Sequence, residues 1–519
     1  MSIRLRLLSC YVIIILVFKS GDKMKDKIKS LDIIHIIMTM FAVLYAILKV
    51  DGIKMTILAV VTVLITSIGL YYLLKKMISK NVKLEYIYLL FAIVMGSLYM
   101  AFLPATKIPD SRNDYLRSLE VSEFNLVTPK KNGKVGRYYS TNIDKLYKTE
   151  NAQGIKYKDV NKLVNLKLND EKKMYTYATK SLYAFVCYIP QAIGVGIGRV
   201  LGLSIYMQTI LGKIFNYLLF MTLIFLSIKY IPIKKELLFF IALLPMTVQE
   251  ALSLSPDSMT IATSICLVSF IIYFKYSKEM FTRKYQLLLF IISVLLSMCK
   301  IVYLPLCFLI FLIPKDKYKS EKEKNIYCIL LSLIVIVLNL TWLKYTSRYL
   351  TSFIGRSDSS LQLKYILSNP IKYCFIILNT VDMYSIIWLE QLLGVSLGIY
   401  SIPTFSVYII SSAYLLIMYT IRNEYKKIKE YVFNNIEKIF IFVIAIGTFG
   451  LICTSLYLQW TSPYATFIDG IQGRYFIPLI LLVSMLFMTK ESNTDNRKLI
   501  TYTAFINIMA IISVISSFM

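Results

Sequence analysis

Long apolar runs recur along this chain, each bounded by short lysine-rich stretches. Runs at about 31–48, 53–74, 84–103, 204–228, 237–252, 256–274, 287–298, 301–313, 325–343, 400–421 and 440–458, with two more flanking Lys490, Arg497 and Lys498, approach the length needed to cross a ~30 Å hydrocarbon core. In lipid every backbone polar group needs an internal partner, so such runs predict helices. The expected fold is an all-α polytopic membrane protein with about thirteen transmembrane helices. The basic clusters set its orientation. Lys23–Lys29, Lys75–Lys83, Lys275–Lys284, Lys315–Lys324 and Lys426–Lys429 are expected on the cytoplasmic side.

Two long polar segments interrupt the pattern. The first, 104–180, follows the third run and is expected outside. It is lysine-rich, against the positive-inside trend, but loops of this length translocate regardless of charge. Within it, Val160, Leu163, Val164 and Leu166 give an amphipathic stretch expected on the membrane surface. The apolar run 181–201 carries Pro190, Gly194, Gly196 and Gly198. If it crossed, nearly every later basic cluster would lie outside, so it is read as a re-entrant or interfacial helix on the outer face. The second polar segment is 344–398. The organisation expected is a signal-like, dispensable N-terminus (1–23), N-terminal transmembrane helices (24–103), an extracytoplasmic loop with interfacial helices (104–203), a central bundle (204–343), a second extracytoplasmic segment (344–398) and C-terminal transmembrane helices (399–519).

Composition agrees with this. Of 519 residues 57% are hydrophobic, and the mean hydropathy is +0.63. The net charge of +28 would suggest nucleic acid in a soluble protein. Here lysines in short loops act as topology signals beside anionic lipid, and no soluble basic domain exists to carry nucleic acid. The eight cysteines form no C-x-x-C pair or Cys/His cluster, which argues against a zinc or redox site. The single histidine, His35, reads as a helix-end residue facing head groups.

The unusual charges fall at one expected mouth of the bundle. "PDSRND" (109–114), "LSPDS" (254–258), "CKIVYLP" (299–305) and "GIQGRYFIP" (470–478) all map to the outer side. Asp110 and Asp114, four apart, would share a helix face beside Arg112 and Arg117. They are candidate catalytic carboxylates, as base or metal ligands, though a solvated helix start explains them equally well. Asp257 after Pro256 also fits a helix N-terminus. Glu250, one turn inside a span, requires a partner. Lys213 is deep enough to call for an anionic partner. Lys300 lies in a tight turn. Arg474, with Gln472 and Tyr475, offers a guanidinium fork suited to phosphate. Lys213, Asp257, Lys300, Gln472, Arg474 and Tyr475 are therefore candidate substrate-binding residues. No motif shows a metal or other cofactor, and a divalent metal is left open.

Five stretches resemble the bacterial membrane family called domain of unknown function twenty-one forty-two. They are "PDSRNDYLRSLEVS" (109–122), "YIPQAIGVGIGRVLGLS" (188–204), "LLPMTVQEALSLSPDSMTIA" (243–262), "SMCKIVYLPL" (297–306) and "GIQGRYFIPLI" (470–480). That family resembles the GT-C glycosyltransferases. The resemblance implies a multi-span enzyme of the bacterial cell membrane with its site on the extracytoplasmic face. It also implies a polyprenyl-phosphate-linked sugar donor and an envelope glycan or lipid acceptor, with Asp110 as the central carboxylate, and makes the outer-loop residues Tyr115, Tyr138 and Tyr139 candidates to stack on sugar rings. The family's usual loop has an acidic residue after the aspartate and a histidine a few positions on. Ser111 and Asp114 stand there, so the base and any metal stay open. The alternative is a transporter, flippase, or polymerase or ligase of lipid-linked polysaccharide. Transporters place polar groups near the midplane on repeated halves, and neither pattern is visible here.

Overall fold

Pro245 breaks what the hydropathy pattern treats as one span. In the computed structural model the run 237–252 forms two short helices, Lys235–Ala242 and Pro245–Ala251. Leu244, preceding the proline, sits at φ −59° and ψ 140°, away from the helical region that a following proline disfavours. Pro305 acts similarly: Ile301–Leu312 winds as a tighter 3-10 helix. The structure describes residues 26–50, 52–131, 133–148, 157–347, 357–397, 400–401, 406–421, 433–487 and 496–518. The expected signal-like segment 1–23 lies outside them.

Two units make up the chain. In the smaller, residues 1–83 with 494–519, the helices Asp26–Lys49, Ile53–Ser79 and Asn496–Phe518 pack together. Tyr45 and Ser513 share a buried hydrogen bond of 2.9 Å. His35 does not face head groups alone: its Nε2 lies 3.1 Å from the Ser67 carbonyl of the next helix.

The larger unit, residues 84–493, is a helical bundle. Its helix Asp257–Tyr276 is almost wholly buried yet carries Thr260, Thr263 and Ser264. Their hydroxyls donate to the carbonyls four residues back, at 2.9, 2.7 and 2.7 Å, which satisfies these three side chains within the helix. Helix Ile189–Val200 packs closely on Ile205–Tyr230. A Cβ on Gly194 would lie 2.3 Å from the Leu211 carbonyl oxygen, so only glycine permits this approach.

Among the described residues, eight helices are long and apolar enough to cross a membrane: Ile53–Met77, Leu84–Phe102, Ile205–Tyr230, Asp257–Tyr276, Glu321–Thr346, Pro370–Leu393, Asn435–Gln459 and Leu499–Phe518. The chain is a polytopic helical membrane protein. One of the eight, Pro370–Leu393, falls inside the segment 344–398 expected to lie outside. Its 18-residue apolar stretch has a mean hydropathy of 1.2, against 2.4 for that of Asn435–Gln459, and Lys372, Asp382 and Glu390 are spread along the helix.

The polar segment 104–180 folds on itself and is not wholly helical. After helix Ser111–Ser122 come strands β1 (Lys130–Lys131), β2 (Lys134–Ser140) and β3 (Lys172–Thr176), in an antiparallel sheet with Tyr138 opposite Met174. Tyr115, Leu119, Ile143, Leu146 and Tyr175 form its core. Leu163 and Leu166, expected on the membrane surface, pack against that core, and Val160 is buried. The hydrophobic face of that stretch is covered by this core, to which Val195, Ile205 and Leu254 of the bundle also contribute.

Candidate functional site

Asp110 adopts the left-handed region, φ 61° and ψ 10°, just before helix Ser111–Ser122. Aspartate is among the few residues that tolerate this conformation, and it recurs where function fixes the backbone. Ser111 secures the turn by donating to the Ile108 carbonyl. Lys213 secures it from the bundle, with Nζ donating at 2.9 Å to the carbonyl of Ala105. This corrects the expectation for Lys213. It is buried, and among the described residues no carboxylate pairs with it. Its partner is a backbone dipole, and its place is to brace the segment leading to Asp110.

Asp110 and Asp114 do share one partner, but it is Lys180. Its Nζ lies 3.2 Å from Asp110 Oδ2 and 3.1 Å from Asp114 Oδ1. Lys180 belongs to the short helix Ala178–Ser181 that directly follows β3. Tyr188 completes the group, its hydroxyl donating to Asp114 Oδ1 at 3.0 Å. Arg112 and Arg117, expected beside these carboxylates, bond elsewhere. Arg112 pairs with Asp144 at 2.9 Å, and Arg117 pairs with buried Glu120 at 2.6 Å.

The carboxylates differ in environment. Asp110 keeps 55% of its side chain exposed, while Asp114 is buried. The Lys180 ammonium holds Asp110 below the usual carboxylate range. Burial pushes Asp114 up to about 6, against the pull of Lys180. Burial alone would lower Lys180, but Asp114 and Asp110 together outweigh it and raise it.

A second group assembles from the bundle. Lys300 pairs with Asp257. Arg474 reaches both acids, Nε at 3.1 Å from Asp257 Oδ2 and Nη1 at 3.1 Å from Glu250 Oε1. Arg474 is thus the partner that Glu250 required. Lys300 lies 4.6 Å above the Tyr475 ring and 5.8 Å from that of Tyr183. The hydroxyl of Tyr303 donates to the Tyr475 carbonyl at 2.8 Å. Gln472 contributes its backbone carbonyl, which accepts from Tyr475 N at 3.0 Å. Gly473 lets the turn press on Pro370–Leu393: a Cβ there would lie 2.0 Å from the Trp388 carbonyl oxygen.

The two groups act on each other. Arg474 helps hold Asp110 down, and Tyr183 feels both Lys300 and Lys180. Four carboxylates (Asp110, Asp114, Glu250, Asp257) therefore face three cations (Lys180, Lys300, Arg474). Among the described residues no group of three or more His, Cys, Asp or Glu side chains could hold a metal ion.

Of the tyrosines expected to stack on sugar, Tyr115 and Tyr139 are buried, with hydroxyls donating to Gln208 and Glu123. They belong to the core because the sheet covers them. Tyr138 is 59% exposed. Sequence reasoning missed Lys180, Tyr183 and Tyr188. Lys180 is one lysine among many, and 66 residues separate it from Asp114. The "YIPQ" stretch marked Tyr188 only by family resemblance.

The fold and this cluster define a multi-span helical membrane protein with a buried ionic site fed by five separate parts of the chain. Residues 104–483 match the family described as Predicted membrane protein (DUF2142), more than half of the chain, and the chain belongs to that family. No curated protein and no solved structure matches it.

Proposed function

We propose that this protein is a GT-C-type glycosyltransferase of the bacterial plasma membrane. It transfers a sugar from a polyprenyl-phosphate-linked donor to an envelope glycan or lipid acceptor on the extracytoplasmic face. Among the described residues eight helices are long and apolar enough to cross a membrane, and such a multi-span fold supports this reading; about thirteen crossings are part of the proposal. The observation that carries it is the contrast within the cluster. One carboxylate, Asp110, is half exposed and held ionised, beside cations that are nearly buried.

The chemistry follows. Asp110 takes the proton of an acceptor hydroxyl as that oxygen bonds to the anomeric carbon. The bond from that carbon to the phosphate oxygen breaks, and the phosphate leaves with the electron pair. Lys300 and Arg474 stabilise the charge that develops there, as fixed donors in a water-poor site. Lys180 orients Asp110, and Tyr188 orients Asp114.

The test is sugar transfer by the full chain in vesicles containing a radiolabelled polyprenyl-phosphate sugar and extracted envelope acceptors. Asp110→Asn is expected to lose about 10²–10⁴-fold in turnover while still binding donor. Normal transfer by Asp110→Asn, or none by the unaltered protein with any polyprenyl-phosphate sugar, overturns the reading.

A further inference from the structure

Away from the ionic cluster, an apolar trough runs between the C-terminal end of helix Ser111–Ser122 and helix Ile189–Val200. Its volume is about 580 Å³, within the ~300–1,000 Å³ range of ligand pockets. Ile189, Ile193 and Ile197 recur every fourth residue along one helix face, all substantially exposed. Phe124 forms part of the facing wall. It holds a left-handed backbone, φ 58°, and is 91% exposed. A phenylalanine so placed covers nothing within its own chain.

One cation stands in this apolar lining. Arg199 Nη2 donates to the Ser122 carbonyl at 3.2 Å. Its Nε is buried and has no hydrogen-bond partner. Among the described residues no carboxylate pairs with it. The neighbouring acid, Glu123, accepts from the Tyr139 hydroxyl instead. A partly buried guanidinium beside apolar surface calls for an anion, and its planar fork suits phosphate.

We infer that this trough binds a phospholipid of the bilayer, one acyl chain along Ile189, Ile193 and Ile197 and the phosphate on Arg199. The helix is too short, at 12 residues, to cross a ~30 Å core, and its exposed apolar face fits the plane of the interface. Position argues against a reacting phosphate. Arg199 follows Tyr188, the Asp114 partner, by roughly 16 Å of helix at 1.5 Å per residue. A phosphate on Arg199 is thus remote from the carboxylates. The inference stands independently of the transferase reading.

Native mass spectrometry of the delipidated full chain tests it, with phosphatidylglycerol, the matching diacylglycerol and polyprenyl phosphate as probes. Phosphatidylglycerol is expected to bind about five- to tenfold more tightly than diacylglycerol, the effect of about one basic contact. Arg199→Gln is expected to remove that preference and Arg199→Lys to retain most of it. Gly196→Phe should weaken both lipids by filling the trough; a Cβ at Gly196 would meet only the Ser122 side chain, at 3.4 Å. Thermal unfolding of each variant reports folding separately. Equal binding of the two lipids to the unaltered protein overturns the inference, as does a preference that survives Arg199→Gln. Stronger binding of polyprenyl phosphate, lost in Arg199→Gln, reassigns the trough to a substrate and overturns it too.

Discussion

Arg474 and Glu250, 224 residues apart in sequence, meet at 3.1 Å with Glu250 almost fully buried. The turn carrying Arg474 is thereby tied to the broken helix Pro245–Ala251. Removing one partner of a buried ion pair leaves the other uncompensated, at a cost of about 3–5 kcal/mol. Arg474→Ala is expected to lower the melting temperature in detergent markedly, because it strips a cation from both Glu250 and Asp257. Glu250→Gln is expected to be milder, since Arg474 keeps Asp257. Combining Glu250→Gln with Arg474→Gln should recover part of the loss. A double-mutant cycle reads the coupling, and additive single effects would mean that the contact contributes nothing.

Asp114 gives the site its pH dependence. Its carboxyl is raised to about 6, so it ionises as pH rises through that value. Below about 6 it is neutral, and Lys180 then pairs with Asp110 alone and weakens it as a base. Turnover is expected to fall on the acid side with an apparent pKa near 6, and Asp114→Asn should abolish that limb. Stability runs the other way. A group raised in the folded state contributes stability below its unfolded value of about 3.9, and that contribution is lost as pH rises through the folded value. The melting temperature of the unaltered protein should therefore drop between about pH 4 and 6 relative to Asp114→Asn. Parallel melting curves for the two proteins over this window would refute the assignment.

Gly473 is required by the backbone of a neighbour. Gly473→Ala places a methyl against the Trp388 carbonyl, where no flexible side chain can give way. Overpacking of this kind costs about 1–3 kcal/mol. The variant is expected to shift Arg474 and to lose transfer, with a modest drop in melting temperature. Gly447→Ala, on an open helix face, serves as the control and should match the unaltered protein.

Orientation can be read by labelling. Cys374 is exposed and is first replaced by serine. In that background Tyr138→Cys is expected to react with an impermeant maleimide on intact cells. Lys319→Cys should react only after permeabilisation. The reverse pattern would place the ionic cluster on the cytoplasmic side and remove the extracytoplasmic donor from consideration.

The bundle was legible because hydropathy and lysine placement are strong, local signals. They marked Leu84–Phe102, Ile205–Tyr230 and Asn435–Gln459 closely. They failed where polar residues diluted an apolar helix, at Pro370–Leu393, and where Pro245 and Pro305 divided or tightened a run. Asp110, Asp257, Lys300 and Arg474 could be grouped because isolated charges in apolar surroundings need partners. The particular pairings could not be read. Lys180 is set beside Asp110 and Asp114 by the short sheet of the polar segment, and its strands carry little hydrophobic signal: β3 is "KKMYT". Lys213 was misjudged because a buried lysine can be satisfied by a carbonyl dipole as well as by an acid.

The excess of four carboxylates over three cations has a thermodynamic corollary. On the proposed transferase reading, a phosphate entering beside Lys300 and Arg474 adds negative charge to a site that already has more acids than bases. Asp114, whose carboxyl burial raises to about 6, would absorb part of the imbalance by taking a proton from solvent. Ligand capture and proton capture are then one coupled event. A membrane face that acidifies would load this protein more readily even as it slows each turnover.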